Sequence, residues 1–200
     1  MLKVGLTGSI AVGKSFVCEV LAESGCAILD ADRTAREVVK PDSEGLNLIV
    51  ENFGSQVLQS NGELDRVRLA AIVFRDQAKR QLLNRIVHPL VIKAQNEWLA
   101  EREVENPAGI AVVDAALMVE SGGYRRFDKI IVVWCAPDVQ IERLMRRDNL
   151  SREEAILRID AQMPQEEKKR FADYLIDTSE GFDETRKQTQ AVFEQLKIFI

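Results

Sequence analysis

Short runs of apolar residues alternate with longer segments of helical periodicity along most of the chain. The apolar runs are rich in valine and isoleucine, show no clean polar/apolar alternation, and lie at 2–7, 27–29, 110–113, 130–134 and 174–176. Continuous apolar runs of this length are typical of strands in a parallel sheet that is covered on both faces. We therefore predict five parallel strands.

Helical spacing of apolar residues fills most of the intervals. We predict helices at 14–24, 31–39, 66–84 in two pieces, 89–104, 138–147, 151–160 and 183–197. Strands that alternate with helices predict an α/β fold of three layers, in which helices cover both faces of a parallel sheet. Ligands of such sheets bind at the carboxyl ends of the strands, so candidate chemistry is expected there.

The length of 200 residues suits a single domain, 1–200, with insertions. The mostly helical stretch from about 41 to 105 is long for one crossover, and we interpret it as a helical substrate-binding insertion. A second insertion candidate, about 143–171, is charged and helical. This composition fits a lid, and an ordinary exposed helix pair fits it equally well.

Composition excludes several classes of protein. The net charge of −5 argues against a nucleic-acid-binding surface. The cysteines, at 18, 26 and 135, are odd in number and form no C-x-x-C motif, so we interpret them as reduced thiols. We find no pattern of a signal peptide, a lipid anchor or a membrane span. We expect a cytoplasmic protein without a nucleic-acid or membrane partner.

The segment 8–15, Gly-Ser-Ile-Ala-Val-Gly-Lys-Ser, matches the phosphate-binding pattern G-x-x-x-x-G-K-[ST] at every fixed position. It follows a predicted strand and opens a predicted helix, which is the context that this motif requires. The glycines allow a tight bend that brings backbone N–H groups close to phosphate oxygens. In this pattern Lys14 reaches the β- and γ-phosphates, and the Ser15 hydroxyl ligates Mg²⁺. The motif predicts that the chain binds a nucleoside triphosphate.

Acidic residues follow the second and third predicted strands. We interpret Asp32 as the base that accepts the proton of an attacking hydroxyl, and Asp30 as a helix cap or support. Asp114 ends an apolar strand and is a candidate Mg²⁺ carboxylate. Capping or turn formation is the alternative for each of these carboxylates. Glu120 is a candidate for orienting substrate or water.

Three arginines lie on the predicted helix 138–147. Arg143 shares a face with Arg146 and with Arg147, at spacings of three and four residues. Guanidinium groups bind phosphate oxygens with paired hydrogen bonds and stabilise transition-state charge. Ion pairs with Glu142 and Asp148 are the alternative interpretation.

These motifs together resemble the dephospho-coenzyme A kinase family over nearly the full length of the chain. The matching segments are Gly5-Leu6-Thr7-Gly8 with Gly13-Lys14-Ser15, Asp30-Ala31-Asp32, Gly62 to Arg66, Leu83-Asn84 with His88-Pro89, Asp114 through Leu117 to Glu120, Gln140 with Arg143 and Arg146, and Arg158, Gln162 and Ala172-Asp173. The chain departs from the usual family pattern at Ala11 (often Gly), Phe16 (often Thr), Ala116 (usually Pro) and Thr178 (commonly Asn).

The resemblance implies a P-loop kinase that uses ATP and Mg²⁺ to phosphorylate the ribose 3′-hydroxyl of dephospho-CoA, giving CoA and ADP in the last step of CoA biosynthesis. It implies catalytic roles for Asp32, Lys14 and Arg143. The implied ATP-binding residues are Gly8, Ala11, Val12, Gly13, Lys14, Ser15, Phe16 and Arg146. The implied substrate contacts are Asp32, Arg66, His88, Leu117 and Glu120, and the metal-binding residues are Ser15 and Asp114. We expect a monomer or a weak homo-oligomer.

Two alternatives remain open on the sequence. A regulatory GTPase needs a guanine-reading N-K-x-D motif, which is absent, and the D-x-x-G match at 42–45 is interpreted as chance. A different nucleoside or nucleotide kinase is a closer alternative, and a panel of acceptors separates it from the family's reaction.

Overall fold

The computed structural model describes all 200 residues. It contains one sheet of five strands, β1 (Leu2–Thr7), β2 (Ala27–Asp30), β3 (Ile110–Asp114), β4 (Lys129–Trp134) and β5 (Tyr174–Asp177). All neighbouring strands are parallel, and their order is β2-β3-β1-β4-β5. The predicted parallel sheet is confirmed. The continuous apolar runs of β1, β3 and β4 are buried on both faces, whereas the edge strands β2 and β5 are only partly buried.

Nine α-helices connect or follow these strands. They are α1 (Lys14–Glu23), α2 (Ala31–Glu37), α3 (Glu44–Phe53), α4 (Arg66–Phe74), α5 (Gln77–Glu105), α6 (Pro137–Asp148), α7 (Arg152–Asp160), α8 (Gln165–Lys169) and α9 (Phe182–Leu196). Short 3₁₀ turns lie at Ser55–Val57, Gly123–Arg126 and Lys197–Phe199. No helix is both long and apolar enough to cross a membrane.

The predicted start of a helix at 89 is wrong. α5 is 29 residues long, and Pro89 lies inside it. A proline inside a helix removes one backbone hydrogen bond and crowds the carbonyl four residues earlier, at a cost of about 3 kcal/mol. The apolar residues just before Pro89 offset this cost by packing against a buried cluster; they are Leu82, Leu83, Ile86 and Val87. Tertiary packing therefore overrides the local preference.

The chain divides into two compact units, one formed by 1–30 with 101–200 and the other by 31–100. The first unit contains the sheet. The apolar sides of α1 and α9 pack on one face, where they meet Val4, Leu6 and Ile131 in the main core. The opposite face of β4 is covered by Met118, Tyr124 and Phe127, which follow β3.

The second unit is helical and has its own buried cluster. This cluster contains Val39, Leu46, Ile49, Phe53, Val57, Leu64 and Leu69. The side chain of Ser43 caps α3 by accepting from the Leu46 N–H, and the side chain of Asp65 caps α4 by accepting from the Arg68 N–H. Capping satisfies backbone donors at the helix starts and fixes where each helix begins.

Replacing Ile49 with alanine should destabilise the second unit more than replacing Ile92 with alanine. Ile49 is fully buried, whereas Ile92 is 40% exposed. The cavity left at position 49 should cost about 2–5 kcal/mol, and the change at position 92 should cost clearly less. Urea unfolding of both variants measures the difference, and equal losses would contradict this packing.

Candidate active site

The loop between β1 and α1 needs glycine at two positions for different reasons. Gly13 has φ +88°, a left-handed conformation that glycine adopts at little cost. At Gly8 a Cβ atom would lie only 2.4 Å from the carbonyl oxygen of Val133. The first glycine therefore permits close packing of the loop on β4, and the second permits the turn into α1.

The carboxyl ends of β2 and β3 bring acidic residues to the edge of the sheet at which this loop leaves β1. In the sheet register Asp114 of β3 pairs with Leu6 of β1 and with Asp30 of β2. The Sγ of Cys18 donates to the Oδ2 of Asp114 over 3.6 Å. Cys18 lies one turn after Lys14 and Ser15 on α1, so the Asp114 carboxylate lies beside the face of α1 that begins with those two residues.

The Cys18 thiol stays protonated in this position. Burial, and after it the negative charge of Asp114, raise the pKa of Cys18 far above its usual range, while the charge of Lys14 acts in the opposite direction. A protonated thiol remains a hydrogen-bond donor, so Cys18 holds the carboxylate in place and is no nucleophile.

Oxygen donors in this region fit a hard cation bound mainly through a ligand. No group of three or more His, Cys, Asp or Glu side chains could hold a metal ion by itself. Ser15, in the first turn of α1, and Asp114 supply a hydroxyl and a carboxylate. Mg²⁺ is commonly held by one or two such groups together with phosphate oxygens and waters. The hydroxyl of Ser9 in the same loop is buried and has no hydrogen-bond partner.

A cavity of about 420 Å³ adjoins the loop at Gly13. Its lining comprises Gly13, Phe16, Arg143, Arg146, Thr178, Gly181, Phe182 and Thr185. The rings of Phe16 and Phe182 meet edge to face, with centroids 4.8 Å apart. Aromatic rings together with guanidinium groups suit a flat ligand ring, and the volume suits a small molecule.

The three arginines of α6 make different contacts in the structure. Arg147 pairs with Asp148, so the ion-pair alternative is correct for this residue. Arg146 is exposed and lines the cavity. Arg143 donates from Nη1 to the Thr178 hydroxyl over 2.8 Å and from Nη2 to the Thr178 carbonyl over 2.7 Å.

Thr178 links Arg143 to the phosphate loop. Its hydroxyl donates to the carbonyl oxygen of Val12 over 2.8 Å. This threonine is one of the positions where the chain departs from the family pattern named above. Its hydroxyl both donates to the loop and accepts from Arg143, so the threonine provides a direct connection between the two.

Lys168 is fully buried, although the charged run at 165–170 indicated a solvated helix. Its ammonium group lies 2.9 Å from the Glu120 carboxylate and donates to the Ala116 carbonyl over 2.8 Å. Burial lowers the pKa of Lys168, and the hydrogen bond with Glu120 opposes this effect. The Glu120 carboxylate also accepts from the Met163 N–H. Glu120 thus joins the segment after β3 to α8, and its contact with substrate stays a prediction.

The remaining predicted residues lie in different parts of the chain. Leu117, between β3 and the 3₁₀ turn at Gly123–Arg126, is 54% exposed. Asp32 lies in the first turn of α2, Arg66 is the first residue of α4, and His88 lies within α5. These three side chains are exposed residues of the second unit. The first unit brings together the phosphate loop, Asp114, Arg143 and Arg146.

Several site residues were missed by sequence reasoning. Thr178, Phe182 and Thr185 line the cavity, and Lys168 anchors α8. Gly181 before the last helix was a weak signal for a tight loop. No spacing rule distinguishes Lys168 from its exposed neighbours, because periodicity reports which face of a helix is apolar and not which charge is buried.

The sheet order, the glycine loop between β1 and α1, and the carboxylate at the end of β3 define the P-loop NTPase fold. Comparisons with known proteins narrow the class. The family model for dephospho-CoA kinase matches residues 2–184. The chain belongs to the dephospho-CoA kinase family, which catalyses the final, ATP-dependent step of CoA biosynthesis. The predicted family resemblance is confirmed, and the GTPase alternative is wrong.

Relatives match along nearly the whole chain. The dephospho-CoA kinase of Listeria monocytogenes serotype 4b is 43% identical over 187 residues, which cover 92% of each chain. That of Geobacillus kaustophilus is 43% identical over 196 residues, covering 97% of this chain and 96% of the relative. The solved dephospho-CoA kinase from Campylobacter jejuni is 28% identical, with a TM-score of 0.74, and covers 98% of this chain and 96% of that one. A shikimate kinase from Bacteroides thetaiotaomicron, 15% identical with a TM-score of 0.52 and 98% coverage of both chains, shares the fold alone.

Replacing Lys168 with methionine should destabilise the protein by about 1–3 kcal/mol, because the Glu120 carboxylate and the Ala116 carbonyl lose their buried donor. Lys187→Met is the matched control, since its side chain is 74% exposed, and it should stay within about 0.5 kcal/mol of the parent. Chemical unfolding of both variants measures this. Similar stability of the two variants would show that the buried contacts of Lys168 contribute little.

Proposed function

We propose that this chain transfers the γ-phosphoryl group of ATP to the ribose 3′-hydroxyl of dephospho-CoA. The observation that carries the proposal is the phosphate loop and the start of α1 lying beside Asp114, in a chain of the dephospho-CoA kinase family. Phosphoryl transfer needs mainly positioning and neutralisation of charge, and the loop, Lys14 and the nearby arginines supply both.

ATP would occupy the phosphate loop and the adjoining cavity together. Gly13 belongs to both, so a nucleotide whose phosphates lie in the loop can extend directly into the cavity. Phe16, Phe182 and Arg146 would contact the base and ribose. The backbone N–H groups from Gly8 to Ser15, including those of Ala11, Val12 and Gly13, would face the phosphates, together with the positive end of α1.

Charged side chains would divide the catalytic work. Lys14 and Arg143 would stabilise the negative charge of the transferring phosphoryl group. Arg143 is already tethered through Thr178 to the loop, which limits the freedom that it loses in the reaction. Asp32, an exposed carboxylate two residues after the end of β2, would accept the proton of the attacking hydroxyl.

The proposed function also includes a magnesium ion. Ser15 and Asp114 would hold it, as their oxygen donors and mutual position allow. When bound, Mg²⁺ would supply neutralisation of the phosphate oxygens.

The acceptor would be held by residues outside the loop. Arg66, His88, Leu117 and Glu120 are the proposed contacts, in addition to Asp32. We propose the helical insertion at about 41–105 as the substrate-binding region of a single kinase domain. The region at about 143–171 would act as a lid. Gln162, Gln165 and Lys168 hold its segment after α7 by hydrogen bonds.

We further propose that the protein acts in the cytoplasm as a monomer or weak homo-oligomer, without nucleic-acid or membrane partners. All three cysteines are free thiols, and burial raises the pKa of Cys26 to about 12. Unreactive, unpaired thiols fit a reducing compartment. The net charge of −5 disfavours nucleic acid as a partner.

ADP release with ATP and Mg²⁺ tests the proposal against a panel of dephospho-CoA, adenosine, AMP, shikimate and water alone. We expect turnover with dephospho-CoA only, and none when Mg²⁺ is omitted. Mass spectrometry of the product would locate the new phosphate on the ribose 3′-oxygen. Turnover with another acceptor would refute dephospho-CoA as the substrate. It would not affect the assignment of the phosphate loop as the site of the ATP phosphates.

Asp32→Asn should lower kcat by about 10²–10⁴-fold, because the amide keeps the shape of the side chain and cannot accept the proton. Asp42→Asn is a matched control. Asp42 is exposed and has φ +64°, a conformation that asparagine tolerates. Steady-state kinetics at saturating substrates measures both variants, and a loss of less than about tenfold for Asp32→Asn would exclude it as the general base.

A further inference from the structure

We propose that Gln140 and Gln162 are positioning residues for phosphoryl transfer, which orient the backbone of Ile10 at the tip of the phosphate loop. With Gln165 they form a group that we call the glutamine clamp. The inference rests on the proposed function, since it takes this loop as the site of the ATP phosphates. None of the three side chains needs to touch the nucleotide, because Gln140 and Gln162 act through the loop backbone and Gln165 acts through Gln140.

The clamp holds both backbone polar groups of one loop residue. The Ile10 N–H donates to Oε1 of Gln162 over 2.8 Å, and Nε2 of Gln140 donates to the Ile10 carbonyl over 2.8 Å. The two glutamines follow Ile10 by 152 and 130 residues in the sequence. A loop residue outside regular secondary structure must find other partners for these groups, and here it finds two side chains.

The backbone groups at the two ends of the clamp fix the orientation of its side-chain amides. The Cys135 N–H can only donate, and it donates to Oε1 of Gln165 over 3.1 Å. Nε2 of Gln165 donates to Oε1 of Gln140 over 2.8 Å. Nε2 of Gln140 is thereby directed to the Ile10 carbonyl, which can only accept. One chain of donors thus runs from the end of β4 to the phosphate loop.

The clamp also determines the direction of the next backbone donor. The Ile10 carbonyl shares a planar trans peptide with the Ala11 N–H, so the two groups point in opposite directions. When Gln140 binds the carbonyl, the Ala11 N–H turns away from Gln140. Ala11 has φ +60°, which is unfavourable for a residue with a Cβ. The hydrogen bond to Gln140 therefore holds a peptide that would otherwise gain by rotating.

Apolar packing supports the same arrangement. The side chains of Ile10 and Ala11 pack against a cluster formed by α6 and α7 that contains Ile141, Leu144 and Ala155. Gln140 itself is 2% exposed, so water does not compete for its hydrogen bonds. Gln162 follows the end of α7, and the position of that helix is thereby connected to the Ile10 N–H. The clamp links the proposed lid to the donors that face phosphate.

The chemistry of the two contacts differs, and this difference makes the test specific. Gln162 acts as an acceptor, so glutamate can replace it, whereas methionine cannot. Gln140 acts as a donor toward Ile10, and Gln140→Met removes that donor with little change in volume. Gln188→Met is the matched control, because Oε1 of Gln188 accepts from the backbone N–H of Asp177 and has no contact with Ile10.

The experiment measures ATP affinity by calorimetry and the kinetics of transfer to dephospho-CoA, with melting temperatures to verify folding. Gln140→Met and Gln162→Met should each lower kcat by about tenfold or more, because a small misplacement of a donor is costly in catalysis. Their KM for dephospho-CoA should stay within about threefold of the parent, since the acceptor contacts are unchanged. At saturating ATP, Gln162→Glu should retain kcat within about threefold, because it keeps the acceptor, and Gln188→Met should match the parent.

Several outcomes would overturn the clamp. If both methionine variants kept the parental kcat and ATP affinity, the clamp would have no role in transfer. Equal losses of kcat in Gln162→Glu and Gln162→Met would also contradict the proposal. If kcat fell in Gln188→Met as much as in the clamp variants, the effect would be one of general stability and not of loop positioning. If Gln140→Met does not fold, the pair of variants at the partly exposed Gln162 decides the question. A parent chain that fails to bind ATP would refute the proposed function, and parental binding with unchanged variants would refute the clamp alone.

Discussion

The central position of β1 in the parallel sheet is the constraint on which the site depends. β1 pairs with β3 on one side and with β4 on the other, and all three strands run in the same direction. Their carboxyl ends therefore meet at one edge, where the phosphate loop leaves β1, Asp114 ends β3 and Cys135 follows β4. Gly8 has to be a glycine because the loop leaves the sheet in contact with the β4 backbone.

The phosphate loop is a local motif in the sequence, but its conformation depends on contacts with residues that are distant in the sequence. Thr178 donates to the Val12 carbonyl, and two glutamines hold the backbone of Ile10. Each of these side chains follows β4 in the chain, so the C-terminal third of the protein shapes the loop near its N-terminus. Such contacts allow Ala11 to keep a left-handed conformation at a position where the family often has glycine.

Positive charge is concentrated near the loop although the chain as a whole is acidic. Lys14, Arg143 and Arg146 lie on or beside the loop and its cavity, whereas Arg147 and Arg158 share an ion pair with Asp148. A local field of this kind attracts a phosphate group without making the whole surface basic. The buried Lys168 has a different task, since its charge is satisfied by Glu120 and by a backbone carbonyl.

The sequence by itself determined the five parallel strands, the phosphate loop and the family, because apolar runs and glycine spacing express local backbone requirements. It failed at Pro89, where packing of α5 outweighs the proline, and at Lys168, where a charged run includes a fully buried side chain. Only the tertiary structure decided that Arg143 binds Thr178 while Arg147 binds Asp148, and that Gln140 and Gln162 both bind the backbone of Ile10. These contacts join residues more than thirty positions apart or select among neighbours with equal charge, and neither periodicity nor spacing carries that information.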